Sequence, residues 1–280
     1  MKLPQLAIGS PDAGRFGERF IVAGNGPTMV DLDRAQFNIE DTIIRVNSFF
    51  FEPEYFIGRR VDILQIGGDR WIFPFFAKTL GKVLAAGLYD VRHWSCHQPD
   101  VAQGARCQVG RNEVALCYKD SHTRDYVVGR CLHYGRLPTT GVYALLNAHA
   151  LGAKYITIAG MDFYAADRRY MYELGPRNER LLHGSAKIGY NGNFHDQRLD
   201  LDIVRYLADK QELTLYRTNS ATSALEFLDL APDHHNVSHP PCVKPVKITD
   251  FESRVGVYPI ALMQILRRMR ELQIQYLRRK

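Results

Sequence analysis

Six short apolar runs constrain this chain more than any other feature: Arg19–Gly24, Thr42–Asn47, Val61–Ile66, Val91–Ser95, Tyr155–Gly160 and Leu213–Arg217. Most are unbroken stretches rather than alternations of apolar and polar residues. A strand with one face in water alternates, whereas a strand covered on both faces does not. Helical patterns lie between the runs. Thr139-Thr140-Gly141-Val142 opens one, with Val142, Leu145, Leu146 and His149 on one side and Gly152 closing it. Leu199, Ile203, Val204 and Leu207 mark the apolar face of another. This alternation predicts an α/β fold, a Rossmann-like parallel sheet with helices on both faces. At 280 residues and 46% hydrophobic, the chain is long enough to bury such a core.

The first run drives into Gly24-Asn25-Gly26-Pro27-Thr28-Met29. A strand followed by a glycine turn is how phosphate-binding α/β folds begin, and the amides from Gly24 to Gly26 suit a phosphate. A plain tight turn explains the same residues equally well. The dinucleotide fingerprint G-x-G-x-x-G fails, because its third glycine is Met29. The second run ends Arg45-Val46-Asn47-Ser48, with no carboxylate for a ribose hydroxyl, so NAD is disfavoured. Asn25 and Asn47 fall at carboxyl ends of strands, where open sheets bind ligands. An amide offers both a donor and an acceptor, which suits a sugar or a base better than a metal.

Residues 161–195 interrupt the rhythm. They are rich in Tyr, Arg, Gly and Asn and weak in apolar periodicity. A long insertion in a compact domain is usually functional, and a lid over a ligand is the expected role. A loop left in solvent has no use for Tyr164, Tyr170, Tyr172 and Tyr190.

Charge and cysteine usage exclude several classes. Net charge is +6, but residues 259–280 alone hold Arg267, Arg268, Arg270, Arg278, Arg279 and Lys280 against Glu271, leaving the body almost neutral. A nucleic-acid binder wants a basic stripe on its body, so none is expected as a partner. Ile260, Leu262, Ile265, Leu266, Met269, Leu272, Tyr276 and Leu277 recur at helical spacing among those basic residues. The pattern predicts a basic amphipathic helix lying on an anionic membrane surface. The chain thus divides into a domain over 19–258, with its lid at 161–195, and a helix over 259–280. No apolar run suits a transmembrane helix or a signal peptide, so the expected location is cytoplasmic, peripheral on the inner membrane. The five cysteines (Cys96, Cys107, Cys117, Cys131, Cys242) include no C-x-x-C pair and read as reduced thiols. His234, His235 and His239 sit in a Pro-rich loop without an acidic partner, so no metal is expected.

IVAGNGPT, RVNSFFFEPEYFIGRRVD, TTGVYALLNAHALGAKYITIAGMDFY and NSATSALEFLDLAP, in that order over residues 19 to 232, resemble the bacterial sialyltransferases of glycosyltransferase family 42. The resemblance implies a single nucleotide-binding domain of modified glycosyltransferase-A type, with a small lid closing over CMP-sialic acid. It implies an inverting transfer to a terminal galactose hydroxyl of a lipooligosaccharide glycan, with no metal and no other cofactor. Tyr164 and Tyr170 fall on two tyrosines that hydrogen-bond the departing phosphate, and His195 falls on the general base. Asn25 and Asn47 fall on donor-binding asparagines, and Thr140 on a hydroxyl residue near the sialic acid carboxylate. Gly24, Gly26, Ser48, Gly160 and Asp162 complete the donor site. Arg136 matches the family's arginine when Pro138 is counted as an insertion. Two positions depart: Gly67 stands where the family has a sugar-contacting asparagine, and Gly192 where a tyrosine is usual, with Tyr190 two residues away. Family members often form tetramers or dimers, so the resemblance makes a homo-oligomer possible, with no interface legible in the sequence. A Gly-Asn-Gly-Pro turn also occurs in Rossmann-like flagellar accessory proteins and pterin diphosphokinases, which make the alternative transferase reading. A third reading makes the chain a membrane-binding module through its tail.

Overall fold

All six runs form strands, within about a residue of their expected ends. In chain order the elements begin β1 (Ala7–Ile8), β2 (Arg19–Ala23), β3 (Thr42–Val46) and β4 (Arg60–Ile66). Helix α1 (Phe73–Ala85), β5 (Asp90–Cys96), α2 (Pro99–Gln108), β6 (Cys117–Tyr118) and α3 (Ser121–Tyr134) follow. Then come α4 (Thr140–Leu151), β7 (Tyr155–Ala159), α5 (Pro176–Leu182), α6 (Gln197–Ala208), β8 (Thr214–Arg217) and β9 (Asp229–Leu230). The chain closes with β10 (Arg254–Val255), β11 (Tyr258–Pro259) and α7 (Ile260–Arg278). This computed structural model describes all residues except 1–2, 39, 69, 111, 166–167, 183–194, 219, 235–242, 257 and 279–280. Tyr190, Gly192, His235, His239, Cys242, Arg279 and Lys280 lie outside the described residues.

Seven strands form one parallel sheet in the order β5-β4-β3-β2-β7-β8-β9. Strand order runs outward from β2 to β5, then restarts at β7 on the other side of β2. That reversal creates a crevice at the carboxyl ends of β2 and β7. Residues pointing to one face (Phe20, Val22, Ile44, Ile63, Ile156, Ile158) join a core with α4 and α6. Those pointing to the other (Ile21, Ala23, Ile43, Ala159) pack on Met29 and Phe37. Farther out, Val61, Leu64, Ile66 and Trp94 pack beneath α1 and α2. Burial on both faces is why the runs do not alternate.

Helix α4 corrects an expectation. Its apolar pattern suggests one buried side, yet every residue from Val142 to Leu151 is buried. The helix lies between the sheet and α6, so it has no solvent face. The short sheets β1–β6 and β10–β11, strand β9 and helices α1, α2, α3 and α5 were not read from the sequence. Of the expected cysteines, Cys96, Cys107, Cys117 and Cys131 are free thiols.

The RVNSFFFE stretch is first of all a structural clamp. Arg45 and Glu52 form an ion pair of 2.8 Å with both side chains fully buried. The Tyr89 hydroxyl donates to Glu52 at 2.7 Å, and Lys244 Nζ donates to the carbonyls of Phe50 and Glu52. Burial pulls Lys244 down to about 8. Phe49, Phe50 and Phe51 are all buried around this pair. The clamp holds the end of β3, where Asn47 takes a left-handed backbone (φ 48°), a region asparagine tolerates better than most non-glycine residues.

Candidate active site

The switch-point crevice opens into a cavity of about 710 Å³, within the range of small-molecule sites. Its floor is the glycine turn. The Gly24 amide donates to the Ala159 carbonyl at 2.9 Å and the Gly26 amide to the Gly160 carbonyl at 2.8 Å. Two of the amides expected to cradle a phosphate are therefore committed to tying the turn to β7. The glycines serve close approach instead. A Cβ on Gly24 would lie 2.3 Å from the Gly160 carbonyl oxygen, and one on Gly26 1.8 Å from Asp162 Oδ2. Gly160 has φ +56°, and a Cβ there would meet Met29 at 2.2 Å.

Asn25 links three elements. Its Nδ2 donates to the Val46 carbonyl at 2.8 Å, and its carbonyl accepts from the Met171 amide at 2.9 Å. Its Oδ1 is buried with no partner among the described residues. Asn47 Oδ1 accepts from the Gly67 amide at 2.8 Å. Ser48 also lines the cavity, at the head of the short turn Phe49–Phe51. Asp162 Oδ2 accepts from the Thr28 amide at 3.3 Å, and burial pushes its carboxyl up.

Opposite the turn, Thr140 and Gly141 begin α4, with its N-terminal end at the cavity. Asp200 of α6 anchors that end, its Oδ1 accepting from the Thr139 amide at 3.0 Å. Burial raises Asp200 to about 7. A helix N-terminus facing a cavity favours an anionic group.

The chain enters the insertion through Phe163 (φ 46°) and Tyr164 (φ 61°), two successive non-glycine residues with left-handed backbone. Such conformations cost about 1–3 kcal/mol each and gather at functional sites. Tyr164, Tyr170 and His195 all line the cavity. Tyr170 stacks on Tyr172 with ring centroids 5.1 Å apart, and Arg169 lies over Tyr170 at 4.9 Å. Desolvation raises both Tyr164 and Tyr170, which keeps their hydroxyls protonated and able to donate. His195 Nδ1 lies 3.1 Å from the Leu137 carbonyl. Its pKa is lowered, chiefly by burial, with the Leu137 contact opposing the shift and the Arg169 charge adding to it. The residue capping α6 is Asp196, which accepts from the Arg198 amide at 2.9 Å.

Arg136 is not in the cavity lining. Its Nη1 donates to the Gly135 carbonyl at 3.0 Å, and its charge helps to hold the Asp196 carboxyl low. The lining has other arginines that sequence reasoning missed: Arg70, Arg168, Arg169, Arg267 and Arg270. Arg169 acts electrostatically on Tyr164, Tyr170 and His195 alike. Arg267 and Arg270 belong to α7, expected as a membrane helix. Ile260 and Met263 of α7 are buried, and Arg267 donates to the Leu181 carbonyl at 3.0 Å. The inner face of α7 is thus part of the cavity wall, while Leu262, Ile265, Leu266, Met269, Leu272 and Tyr276 stay exposed on another. His97 is the other missed residue. The carboxyl-end rule that singled out Asn25 and Asn47 applies equally to the residue after β5.

Among the described residues, no group of three or more His, Cys, Asp or Glu side chains is placed to hold a metal. His234 sits against Arg19, with 3.0 Å between Nε2 and the guanidinium. No described helix is long and apolar enough to cross a membrane.

A parallel sheet with a switch-point cavity, amide and hydroxyl groups at its strand ends, and a tyrosine- and arginine-bearing insertion beside it make a Rossmann-like α/β fold with a candidate ligand site at its switch point. Residues 119–253 match the family model described as CST-I: Alpha-2,3-sialyltransferase. Over that segment, just under half of the chain, it is similar to bacterial sialyltransferases of the Cst-I type. Among solved structures, the monofunctional alpha-2,3-sialyltransferase Cst-I from Campylobacter jejuni superposes with a TM-score of 0.73 at 18% identity, covering 98% of this chain and 100% of that one. CstII from the same organism, in complex with the substrate analogue CMP-3FNeuAc, gives a TM-score of 0.69 at 20% identity, covering 84% and 95%. Monomeric CstII gives 0.65 at 22%, covering 85% and 96%. At these identities the superpositions show a shared fold. No curated protein sequence matches the chain.

Proposed function

We propose that this enzyme transfers sialic acid from CMP-sialic acid to a terminal galactose hydroxyl of a lipooligosaccharide glycan, forming an α-2,3 linkage with inversion and without a metal. The observation that carries the mechanism is the contact between His195 Nδ1 and the Leu137 carbonyl. A carbonyl only accepts, so Nδ1 carries the proton and Nε2 keeps its lone pair for the acceptor hydroxyl. A lowered pKa keeps the ring neutral at pH 7. One base suffices, because direct attack of the deprotonated oxygen on the anomeric carbon inverts that centre.

CMP is a competent leaving group once its phosphate charge is met. Tyr164 and Tyr170 donate to that phosphate and Arg169 adds fixed positive charge, covering the role a metal would otherwise fill. Asn25 and Asn47, with Ser48, face the nucleotide end of the donor. Gly24, Gly26 and Gly160 allow its close approach, and Asp162 fixes the turn beneath it. Thr140 and the start of α4 receive the sialic acid carboxylate. Arg136, off the lining, is assigned no step. The lid residues exclude water, which limits hydrolysis of the donor.

The 259–280 helix adds peripheral attachment to the cytoplasmic face of the inner membrane, near a glycolipid acceptor. Its exposed stripe of Ile265, Met269, Leu272 and Tyr276, set among arginines, supports this. Deleting the helix would also strip Ile260 and Met263 from the core, so Met269→Glu with Leu272→Glu is the cleaner variant. It should keep transfer to soluble lactose and lose sedimentation with anionic vesicles.

Incubation with CMP-sialic acid and labelled lactose, read by mass, tests the activity. The product should gain one sialyl residue, and absence of that product overturns the reading. Calorimetry should show binding of CMP in preference to ATP. The reverse preference would favour a different nucleotide-dependent transferase.

A further inference from the structure

His97 lines the cavity and has no part in the mechanism above. It directly follows β5 and is 6% exposed. Its imidazole stacks on Tyr143, with ring centroids 4.1 Å apart and planes at 14°. Its Nδ1 is buried with no hydrogen-bond partner among the described residues. A buried polar atom left without a partner is costly, and a functional role is one of the few things that justify it. Burial pulls the ring down to about 3, so it is neutral at any working pH and offers one N–H donor and one lone pair.

Gly67 explains why an imidazole stands there. A Cβ built on Gly67 would lie 2.1 Å from Thr140 Oγ1 and 2.7 Å from His97 Cε1. Any side chain at 67 would have to displace both residues. The bare glycine and the imidazole beside it are therefore one arrangement: the polar group at this wall comes from the end of β5 rather than from the end of β4.

We propose that His97, seated over Gly67 and beside Thr140, is a donor-sugar contact that reads a hydroxyl of the sialic acid moiety. The inference rests on the sialyltransferase reading above. A neutral imidazole both gives and takes one hydrogen bond, which matches a sugar hydroxyl. The carboxylate of the same sugar is better served by the start of α4. No proton is transferred at His97, and His195 remains the base.

The test separates the sugar from the nucleotide. His97→Phe keeps an aromatic ring on Tyr143 and removes both nitrogens, while His97→Asn restores a donor and an acceptor. Calorimetry gives the affinity for CMP, and steady-state kinetics on lactose gives kcat/KM for CMP-sialic acid. His97→Phe should bind CMP within about twofold of wild type and lose about tenfold or more in kcat/KM. His97→Asn should recover most of that loss, and Gly67→Ala should reproduce it by displacing Thr140 and His97. Donor kcat/KM within about threefold of wild type in His97→Phe would overturn the proposal, as would a parallel fall in CMP affinity. If His97→Phe does not fold, His97→Asn and Gly67→Ala decide by the same two readouts. A wild-type enzyme that neither binds CMP nor transfers sialic acid would instead overturn the proposed function.

Discussion

The two walls of the cavity are built in different ways. The sheet-side wall, from Gly24 to Gly26 and from Gly160 to Asp162, is backbone against backbone, tied by the Gly24 and Gly26 amides. It leaves no room even for a methyl group. The opposite wall is an assembly of side chains from distant segments. Asp250 receives the amides of Arg177 and Asn178 at the start of α5, and Leu181 packs with Phe251, Ile260 and Met263. Arg267 of α7 then reaches back to Leu181. The first wall is the rigid floor of the cavity. The second carries the groups to which the proposed mechanism gives roles: Tyr164, Tyr170, Arg169 and His195. Rigidity and chemistry are thus separated, and each predicts a different response to substitution.

The largest effect should come from the chemical wall. His195→Ala should fold, bind CMP with wild-type affinity and lose about 10²–10⁴-fold in transfer rate, the usual worth of a positioned base. The base works only when neutral, so wild-type transfer should fall as pH drops through its pKa. That limb should be centred below 6.5, because the folded environment lowers the pKa. The limb should vanish in the variant, and a pH–rate profile that keeps it places the base elsewhere.

Next comes Tyr164→Phe, or equally Tyr170→Phe. Each keeps ring packing and removes one hydrogen-bond donor, so turnover should fall by about 10²–10³-fold, or about 2.7–4 kcal/mol. CMP affinity and melting temperature should hardly change. Normal turnover would reduce these tyrosines to packing groups.

Gly24→Ala probes the other wall and should act on stability. The added carbon meets the Gly160 carbonyl, a backbone atom that cannot turn aside. Overpacking of this kind costs about 1–3 kcal/mol, to be read as a lower denaturation midpoint together with weakened CMP binding. An unchanged midpoint would show that the turn is looser than its geometry indicates. The smallest effect is expected from Arg270→Ala, an exposed charge at the rim. A change of a few-fold in KM for an anionic substrate, with kcat unaltered, would confine α7 to electrostatic support. A collapse of kcat would make α7 part of the chemical machinery.

Much of the sheet-side wall was legible in the sequence. The strand runs, the glycine turn, Asn25, Asn47 and the Thr140 helix start all appear where expected, because strands and turns follow from local period and local sterics. The resemblance to a family added Tyr164, Tyr170 and His195, and all three line the cavity. The amides of Gly24 and Gly26 read differently once folded, since a sequence shows that a turn has donors but not whether β7 takes them. The cause of the His195 shift was also out of reach, because burial is a property of packing.

The sequence by itself determined the architecture: unbroken apolar runs require strands covered on both faces, and their alternation with helices requires a parallel sheet with a switch point. Only the tertiary structure decided the occupants of the cavity's far wall. The Leu137 carbonyl meets His195 across 58 residues, Asp250 caps the start of α5 from 72 residues away, and Arg267 reaches the Leu181 carbonyl across 86. His97 is a cavity group only because β5 ends beside β4 and Gly67 leaves it room. Period and turn chemistry act over a few residues and can be read from their order. A wall made of side chains from separate segments depends on how helices and strands pack, which no local pattern records.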